Sequence, residues 1–528
     1  MGMYVNPGNE AFAEINDEDY VDKTMLISLV NERIRKKNKL ICISRPRRFG
    51  KSYAAKMLTA YYDRTCDSHR LFDDKKIAEC DSYEMHMNQY NVINLDITGF
   101  ISSADQVGIS LREIPGMIVD AIKEEILALD SDLPADKELE KMLTTYVAKN
   151  GNRPFIFIID EWDAMIREAK DDPEAQKRYL NLLRGWFKNS NFTPKVVAAA
   201  YMTGILPIKK DGSQSAISDF YEFSILAPRR FAEFTGFLEE EVIEKCLESG
   251  LDYQEVKKWY DGYDFPNIGA IYNPYSVMMA LENEKCTSYW KQTTAAESLK
   301  SYINMNFDGL QETIARLISG EEIPVDVGSF QNDFETFNKA DDVLTLLIHV
   351  GYLTYHTENG TVRIPNSEVR EEFQQLISSK NESKQWMKLI MRSKRLLDAT
   401  LKEDAETVAS IIEDIRNEQY APQFYNNEQS LRAIIKYAYI CTEGIFLKIE
   451  EMPSGKGVAD VVYIPKPMSQ YPAMIIELKW NKSSGGAIEQ IKEKKYTTVL
   501  KPFAGHILLV GINYDEKTGK HTCTIDIA

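Results

Sequence analysis

The segment LICISRPRRFGKS, residues 40–52, decides the fold of the N-terminal part of the chain. LICIS is a short apolar run, the turn after it ends in Gly50-Lys51-Ser52, and a helical pattern follows. A strand, a turn ending in Gly-Lys-Ser and a helix form the context that a Walker A loop requires. In such a loop Gly50 lets the backbone approach phosphates, Lys51 reaches the β- and γ-phosphates, and Ser52 binds Mg²⁺. The helix N-terminus adds N–H donors and a favourable dipole.

The loop departs at one position from the usual pattern, which has a glycine five residues before Gly50. Arg45 stands there, so Gly-Lys-Ser alone leaves open a basic turn that merely precedes a helix. Some of the loop arginines could also pair with acidic neighbours instead of contacting phosphate. The predicted nucleotide-binding residues of the loop are Arg45, Pro46, Arg47, Arg48, Phe49, Gly50, Lys51 and Ser52.

A second apolar run, FIFIID, ends in Asp160 and is followed by Glu161. An apolar strand ending in two carboxylates is typical of a Walker B strand, in which Asp160 would hold Mg²⁺ through water and Glu161 would polarise the attacking water. The alternative is that the carboxylates mark a solvent boundary or cap the next helix. Thr203 ends the following apolar run, where it could sense the γ-phosphate or be an ordinary strand-end residue.

Short apolar runs alternate with helical patterns throughout the first half of the chain. Runs without polar alternation fit strands of a parallel sheet that is covered by helices on both faces, which predicts an α/β domain. The runs lie at residues 40–44, 92–97, 155–160 and 196–204, and helices are expected at 53–63, 109–129 and 175–188. Amphipathic helices dominate from about residue 231 to 395, with one short hairpin around Glu358-Asn359-Gly360.

Strand patterns near the C-terminus predict a second, small α/β domain with its own polar cluster. Asp460 interrupts VADVVYIP, and Glu477 and Lys479 interrupt AMIIELKW on one face, because side chains alternate along a strand. In a hairpin, Asp460 and Glu477 would lie together and hold Mg²⁺, while Lys479 stabilises charge on a scissile phosphate. Glu428 could add a third carboxylate, and Gln490 lies on the next helix. The alternative is a solvated sheet face with paired charges.

The 528 residues carry a formal charge of −17, which argues at first against nucleic acid, because phosphate binding depends on Lys and Arg. The charge is uneven, with −14 on residues 1–395 and −3 on residues 396–528. Residues 33–51 hold nine basic and no acidic side chains, and residues 479–501 hold six Lys against two Glu. Scattered cysteines, no apolar run of spanning length and no signal-peptide pattern predict a cytoplasmic protein.

A family resemblance rests on seven motifs taken in order: YVDKTMLI, ISRPRRFGKS, IIDEWDAMI, WYDGYDF, YNPYSVMMAL, GYLT and IPNSEV. They resemble the marks of bacterial AAA-like ATPases that carry a C-terminal domain of the PD-(D/E)XK nuclease superfamily. That family's loop commonly reads SRPRRFGKS, so the resemblance makes Arg45 part of the pattern, and it implies that Asp160 and Glu161 are the Walker B pair. The nuclease core that it implies consists of Glu428, Asp460, Glu477, Lys479 and Gln490.

Together these patterns predict a P-loop ATPase domain at residues 1–230, a helical lid and connector at 231–395, and a restriction-endonuclease-like domain at 396–528. ATP and Mg²⁺ are the expected cofactors, with Mn²⁺ as an alternative metal at the nuclease site. DNA is the expected partner, no membrane partner is expected, and a homo-oligomer stays open because relatives often form rings. The alternatives are a nucleotide-switched interaction protein whose nuclease fold does not cut, and a regulatory ATPase with a vestigial nuclease half.

Overall fold

The computed structural model describes residues 2–16, 20–208, 217–265, 268–290, 309–328, 330, 339–378, 381–419, 425–442, 446–454, 457–466, 471–494, 500 and 507–528. The chain divides into two compact units, each with a five-stranded sheet of its own. The first unit comprises Met1–Asp308 and Pro324–Phe373, and the second comprises Gly309–Ile323 and Gln374–Ala528. The predicted domain boundaries near residues 230 and 395 stay predictions.

The described residues form 16 strands and 21 α-helices, labelled in chain order. The strands are β1 Leu40–Ser44, β2 Asn91–Asp96, β3 Phe155–Asp160, β4 Val197–Gly204, β5 Tyr221–Phe223, β6 Phe237–Leu238, β7 Tyr263–Phe265, β8 Gly269–Tyr272, β9 Ile323–Pro324, β10 Thr354–His356, β11 Thr361–Arg363, β12 Phe446–Ser454, β13 Gly457–Pro465, β14 Ala473–Trp480, β15 Ile507–Asp515 and β16 Lys520–Ile527. The α-helices are α1 Glu10–Ala13, α2 Met25–Asn31, α3 Lys51–Tyr62, α4 His69–Phe72, α5 Tyr83–His86, α6 Ile97–Gln106, α7 Ile114–Leu129, α8 Leu139–Lys149, α9 Ala164–Glu168, α10 Pro173–Phe187, α11 Thr193–Val196, α12 Glu239–Ser249, α13 Tyr253–Tyr260, α14 Pro274–Glu282, α15 Leu310–Ile318, α16 Ala340–Val350, α17 Ser367–Ser378, α18 Asn381–Leu401, α19 Ala405–Gln419, α20 Glu428–Ala438 and α21 Ser484–Glu493.

A parallel sheet in the order β2-β3-β4-β1-β5 forms the centre of the first unit. Successive side chains enter opposite cores: Cys42 and Phe157 pack with helices α7, α8 and α10, whereas Ile41 and Ile158 pack with α2 and α3. Helices therefore cover both faces of the sheet, which confirms the predicted α/β class and explains why these strands show no polar alternation.

One predicted helix is different in the structure. Instead of a single helix at 109–129, α6 follows β2 directly, a 3₁₀ turn spans Leu111–Glu113, and α7 begins at Ile114. The Asp96 side chain accepts from the Thr98 backbone N–H at 2.9 Å and so starts α6 at the end of the strand. Pro115 then sits in the first turn of α7, the helical position that tolerates proline best.

The rest of the first unit contains small elements beside this sheet. Helices α12, α13 and α14 pack around a core that includes Val242, Val256 and Val277. The short sheet β6-β8-β7 adjoins them in sequence. The predicted hairpin is present as β10 and β11, which pair antiparallel across a turn where Gly360 has φ of 65°.

The second unit is built on the sheet β12-β13-β14-β15-β16. Only the β14–β15 pair is parallel within this sheet, and α21 makes the connection between these two strands. Val461 and Ile476 pack on one face with α19 and α20, whereas Val462 and Ile475 pack on the other with α21. This small α/β sheet confirms the predicted fold class of the C-terminal part.

Candidate nucleotide and nuclease-like sites

The phosphate loop, Thr203 and Asp160 meet at one edge of the first sheet because of the strand order. Strand β4 lies between β1 and β3, and Ile43 pairs with Thr203 while Ile159 pairs with Met202. The three parallel strands therefore end side by side, at the carboxyl edge where α/β sheets bind ligands. The sequence reasoning placed these residues at strand ends, and the sheet order brings them together.

The loop between β1 and α3 has the backbone of a phosphate cradle. Gly50 has φ of 79°, and a Cβ built there would meet no described atom within 4 Å, so the space in front of it is open. Arg48 also adopts a left-handed φ, of 69°. Lys51, which is 4% exposed, donates to the carbonyl oxygens of Arg45 at 3.2 Å and Pro46 at 2.9 Å.

Asp160 is buried behind this loop and joins two hydroxyl groups. The Thr203 hydroxyl donates to Asp160 Oδ1, and the Ser52 side chain hydrogen-bonds the same carboxylate. Burial raises the pKa of Asp160, and these hydrogen bonds and Lys51 partly offset the increase. Ser52 and Asp160 thus place two side-chain oxygen atoms together, and oxygen atoms are the ligands that Mg²⁺ prefers. Thr203 is fully buried beneath the loop rather than exposed to the pocket.

Glu161 stands among cations. Arg167 Nη2 donates to Glu161 Oε2 at 2.6 Å, and Lys51 Nζ lies 3.5 Å from Oε1. Burial opposes ionisation of Glu161, but Lys51, Arg167 and Arg47 outweigh it and lower the pKa of the carboxyl. Glu161 is therefore a carboxylate at neutral pH, the form that polarises a water molecule. Its own φ of 52° marks a strained turn at the end of β3.

Arg167 and Asp163 are site residues that sequence reasoning missed. Arg167 also donates to Asp163 Oδ2 at 3.1 Å, and the buried Asp163 accepts the backbone N–H groups of Ile205 and Leu206. Asp163 thereby joins the end of β3 to the segment after β4. The signal in the sequence was the i, i+4 spacing of Asp163 and Arg167 just after the two carboxylates.

The loop arginines occupy different environments. Arg45 is fully buried, and its guanidinium donates to Thr235 Oγ1 at 2.9 Å and to the Phe223 carbonyl at 2.7 Å. The structure therefore places Arg45 in the core beside the loop, and Arg45 and Pro46 do not line the pocket in front of it. Arg48 does line the pocket, with its guanidinium 4.3 Å from the centroid of the Tyr275 ring.

A cavity of about 790 Å³ opens in front of the loop. Its polar and charged lining includes Arg47, Arg48, Gly50, Lys51, Ser52, Glu161 and Arg167. Its apolar and aromatic lining includes Ile15, Tyr20, Val21, Met57, Phe237, Tyr275 and Met278. The residues present fit a nucleoside triphosphate, since the lining combines donors for phosphates with apolar and aromatic surface for a base and sugar.

The later sequence motifs pack against the back of the phosphate loop. The Phe49 ring meets the Tyr263 ring edge-on at 5.0 Å, and the Tyr263 hydroxyl donates to the Gly351 carbonyl at 2.7 Å. Arg48 donates to the Tyr289 carbonyl at 2.6 Å, and the Tyr289 N–H donates to Glu368 at 2.7 Å. WYDGYDF, GYLT and IPNSEV therefore contribute to one scaffold around the loop.

In the second unit, antiparallel pairing places Asp460 beside Glu477, as predicted for a hairpin. Val461 pairs with Ile476, and Asp460 Oδ2 accepts the Leu478 backbone N–H at 2.8 Å. Asp460 is 9% exposed and Glu477 is 2% exposed. The two carboxylates are therefore neighbours on paired strands, and both are almost completely buried.

Glu477, Lys479 and Gln490 form a hydrogen-bonded group. Lys479 Nζ donates to Glu477 Oε1 at 3.1 Å and to Gln490 Oε1 at 2.7 Å, and Gln490 Nε2 also donates to Glu477 Oε1. Burial and the neighbouring Asp460 raise the pKa of Glu477 to about 7, against the opposing effect of Lys479. The buried Glu477 Oε2 has no hydrogen-bond partner within the described part of the chain.

That unpartnered oxygen beside a second carboxylate fits a divalent cation, with Asp460 and Glu477 as the residues that would hold it. Glu428 begins α20 and is half-buried, and in the described part of the chain it forms no hydrogen bond or ion pair with either carboxylate, so its predicted role as a third carboxylate stays a prediction. Arg432, one turn further along α20, donates instead to Asp460 Oδ1 at 2.5 Å. The described residues hold no group of three or more His, Cys, Asp or Glu side chains arranged around a metal position.

Two parts of the chain match models of known protein families. Residues 7–213 match a family model described as predicted AAA-ATPase, and residues 426–523 match the model of the PD-(D/E)XK nuclease superfamily. An uncharacterized protein in the vnfD 5′ region of Azotobacter chroococcum is 20% identical over 96% of this chain and 95% of its own length.

Two solved structures align with 69% of this chain and 98% of their own chains. They are the Aeropyrum pernix ORC2 protein, at 13% identity and a TM-score of 0.33, and Cdc6p from Pyrobaculum aerophilum, at 12% and 0.25. The fold assignment rests on the strand order of this chain's own sheets. No helix in the described ranges has the length and apolar character needed to cross a bilayer.

Proposed function

Because the chain joins an AAA-ATPase-like domain to a PD-(D/E)XK nuclease superfamily domain, we propose that it is an ATP- and Mg²⁺-dependent ATPase coupled to a nuclease that cleaves DNA. The observation that supports this most is the presence of two separate polar sites, one in each unit. The first combines an open phosphate loop with a carboxylate pair, and the second combines two buried carboxylates with a lysine.

In the ATPase site, Lys51 would leave the Arg45 and Pro46 carbonyls and bind the β- and γ-phosphates. Ser52 and Asp160 would hold Mg²⁺, which neutralises developing charge on the phosphates when bound. Glu161 would orient and polarise the attacking water, and Arg167 would fix the position of Glu161 through their 2.6 Å hydrogen bond. Thr203 would hold Asp160 in place through the hydrogen bond that its hydroxyl group donates to the carboxylate.

In the nuclease-like site, Asp460 and Glu477 would hold the divalent cation, Mg²⁺ or Mn²⁺, which when bound supplies Lewis-acid stabilisation of a scissile phosphate. Lys479 would stabilise developing negative charge and orient water, and Gln490 would keep Lys479 directed into the site through their 2.7 Å hydrogen bond. Glu428 remains a proposed outer acidic residue of this site. The basic segment at 479–501 supports a phosphate-containing substrate.

The test uses two lysine variants in the full chain. We expect Lys51→Ala to abolish ATP turnover, and Lys479→Ala to abolish metal-dependent DNA cleavage while ATP turnover continues. Lys56→Ala, on the same helix as Lys51 but outside the cavity lining, and Lys517→Ala, in the exposed turn after β15, are the matched controls. A wild-type protein that cuts neither DNA nor RNA with Mg²⁺ or Mn²⁺, with or without ATP, would exclude the nuclease.

The second candidate is a nucleotide-switched interaction protein whose nuclease fold binds a partner without cutting. Its support is the acidic first part of the chain, which carries −14 over residues 1–395 and favours protein contacts over unassisted DNA binding. Normal cellular behaviour of an Asp460→Ala variant, together with ATP-dependent partner binding, would favour this candidate over the nuclease.

We also propose a cytoplasmic location. All seven cysteines lie within the described residues and are free thiols, as expected for a reducing compartment. Assembly into a homo-oligomer is a further proposal, which the molar mass of the protein in solution with and without ATP would decide.

A further inference from the structure

Arg432 occupies the nuclease-like site in a way that the sequence did not predict. Its Nη2 donates to Asp460 Oδ1 at 2.5 Å, and its Nη1 donates to Glu451 Oε1 at 2.6 Å. The guanidinium thus forms a fork between one nearly buried carboxylate and one exposed carboxylate, since the Glu451 side chain is 68% exposed and the Asp460 side chain 12%. Charge-assisted pairs of this kind are the stronger hydrogen bonds of proteins.

The contacts of the two site carboxylates show what Arg432 does there. Both Asp460 oxygens are in use, Oδ1 by Arg432 and Oδ2 by the Leu478 N–H at 2.8 Å. Glu477 uses Oε1 for Lys479 and Gln490, whereas no described group contacts its buried Oε2 by a hydrogen bond. A divalent cation shared by the two carboxylates would meet an oxygen free of hydrogen bonds on Glu477, whereas on Asp460 both oxygens are hydrogen-bonded and the Arg432 guanidinium at Oδ1 would repel it.

Glu451 is a second carboxylate that pairs with the Arg432 guanidinium. In the β12–β13 ladder Glu450 pairs with Val461 and Met452 with Ala459, which puts Glu451 opposite Asp460. Glu451 has φ of 50°, a left-handed backbone that is unfavourable for a residue with a side chain and is often found at functional sites. Because Arg432 contacts Asp460 through Nη2 and Glu451 through Nη1, it can release the first carboxylate and keep the second.

We propose that Arg432 is the resident cation of the nuclease-like site, which a divalent metal must displace from Asp460 Oδ1. The displaced guanidinium, still anchored by Glu451, then binds a phosphate of the nucleic-acid strand. The first step concerns metal binding alone, and only the second rests on the proposed nuclease function. Arg432 is thus a positioning residue that prevents an empty site from leaving Asp460 uncompensated in a nearly buried environment.

The first test measures Mn²⁺ binding to the full-length protein by calorimetry and by electron paramagnetic resonance of free Mn²⁺, without nucleotide. Arg432→Gln removes the competing charge, so we expect Mn²⁺ to bind about tenfold more tightly than to wild type, as for the loss of one charge-assisted pair. We expect Asp460→Asn to lose Mn²⁺ binding at this site, which would assign the measured binding to the site that contains Asp460. Lys436→Ala, which breaks a 2.5 Å ion pair between the same helix and Glu450, should bind Mn²⁺ like wild type.

Equal or weaker Mn²⁺ binding by a folded Arg432→Gln protein would overturn the proposal and leave Arg432 a purely structural ion pair. If the glutamine variant does not fold, Arg432→Lys serves in its place. It keeps the charge but cannot form the fork, and we expect an intermediate Mn²⁺ affinity. An affinity equal to wild type in the lysine variant would count against the proposal as well.

The second test measures DNA binding by metal-loaded protein in a Lys479→Ala background, in which no cleavage is expected. Adding Arg432→Gln should weaken DNA binding although it makes the metal bind more tightly. A purely structural role of Arg432 does not predict these two opposite effects. Unchanged DNA binding would overturn the phosphate step. If the wild type cuts no nucleic acid, the proposed nuclease fails, whereas the Mn²⁺ titrations still decide the displacement step.

Discussion

Arg167 shows how one residue sets the electrostatics of the proposed nucleotide site. It contacts both Glu161, at 2.6 Å, and Asp163, at 3.1 Å, from a single helical position. Together with Lys51 it holds the pKa of Glu161 below its ordinary value in spite of burial. Removing Arg167 therefore takes away a positive charge that keeps the proposed base ionised.

We predict that Arg167→Ala lowers ATP turnover and moves the acidic limb of its pH profile to higher pH. The sign follows because Arg167 lowers the pKa of Glu161, so that without it Glu161 becomes protonated at a higher pH. The measurement is kcat for ATP hydrolysis over a pH series. Arg178→Ala, which removes an exposed pair with Glu174 at 3.3 Å, is the control, and a shift of equal size in it would contradict the assignment.

Glu368 gives a second prediction, on stability. It is fully buried and accepts the Tyr289 N–H at 2.7 Å, and burial raises its pKa from 4.5 to about 7. An acid whose pKa is raised on folding contributes stability below its unfolded pKa and loses that contribution as pH rises through the folded pKa. Glu368→Gln does not titrate, so its stability relative to wild type should improve between about pH 4.5 and 7, by up to ~3 kcal/mol.

Denaturant unfolding of both proteins at several pH values checks the Glu368 prediction. Glu138→Gln, at a side chain that is 79% exposed, is the control and should follow wild type at every pH. A stability difference between Glu368→Gln and wild type that stays constant from pH 4.5 to 7 would show that Glu368 does not titrate in this range.

At the scale of elements, the contact between β6 and the phosphate loop depends on Gly236. Its N–H donates to the Phe49 carbonyl at 3.1 Å, its φ is 91°, and it lines the cavity. A Cβ at this position would collide with the Ile271 side chain and lie 3.3 Å from the Phe49 ring. The loop could then keep its position only if β8 or Phe49 moved.

Gly236→Ala should therefore weaken ATP binding and lower the melting temperature more than Gly269→Ala does. Gly269 is a matched control because its φ of 89° is nearly the same, while a Cβ there would meet no described atom within 4 Å. The control should show only the cost of a left-handed backbone with a Cβ, about 1–2 kcal/mol. Equal effects of the two substitutions on nucleotide affinity would mean that crowding at the loop is unimportant.

The strands that sequence patterns located best are the ones buried on both faces. The runs LICIS and FIFIID coincide with β1 and β3, because each is apolar without interruption and ends at polar residues. Strands β12 and β16, FLKIEEMPS and KHTCTIDI, escaped prediction because they are the edge strands of their sheet and carry charged side chains. The site residues on predicted strands, Asp160, Asp460 and Glu477, could be found for the same reason.

The partners of those residues could not be found in this way. Arg432 meets Asp460 from another element, 28 positions earlier in the chain, and Arg45 is buried against residues more than 170 positions away. No local period or spacing reports such contacts. Sequence patterns therefore predict which side chains carry chemistry, and only the tertiary structure shows which cation neutralises them.

For the whole molecule, a net charge of −17 combined with a local basic segment predicts weak, salt-sensitive DNA binding. Lys482 is exposed and Lys494 half-exposed within that segment. Replacing both with alanine should weaken DNA binding and reduce the slope of log affinity against log salt by about 2. The control variant, Lys517→Ala with Lys520→Ala, removes the same charge from the β15–β16 turn. Equal slopes in the two variants would contradict a local binding segment.

The second unit is interrupted in sequence, since residues 324–373 belong to the first unit. Helix α15 lies before this insertion, buries Leu310, Ile314 and Leu317, and Lys394 donates to the Ser319 carbonyl just after it. A fragment starting at residue 396 would therefore lack both α15 and most of α18, the helix that α15 contacts. Limited proteolysis inside 324–373 should give two pieces that stay associated, because α15 on the first piece contacts α18 on the second. During synthesis on the ribosome, the apolar face of α15 therefore has no packing partner until the insertion and α18 have been synthesised.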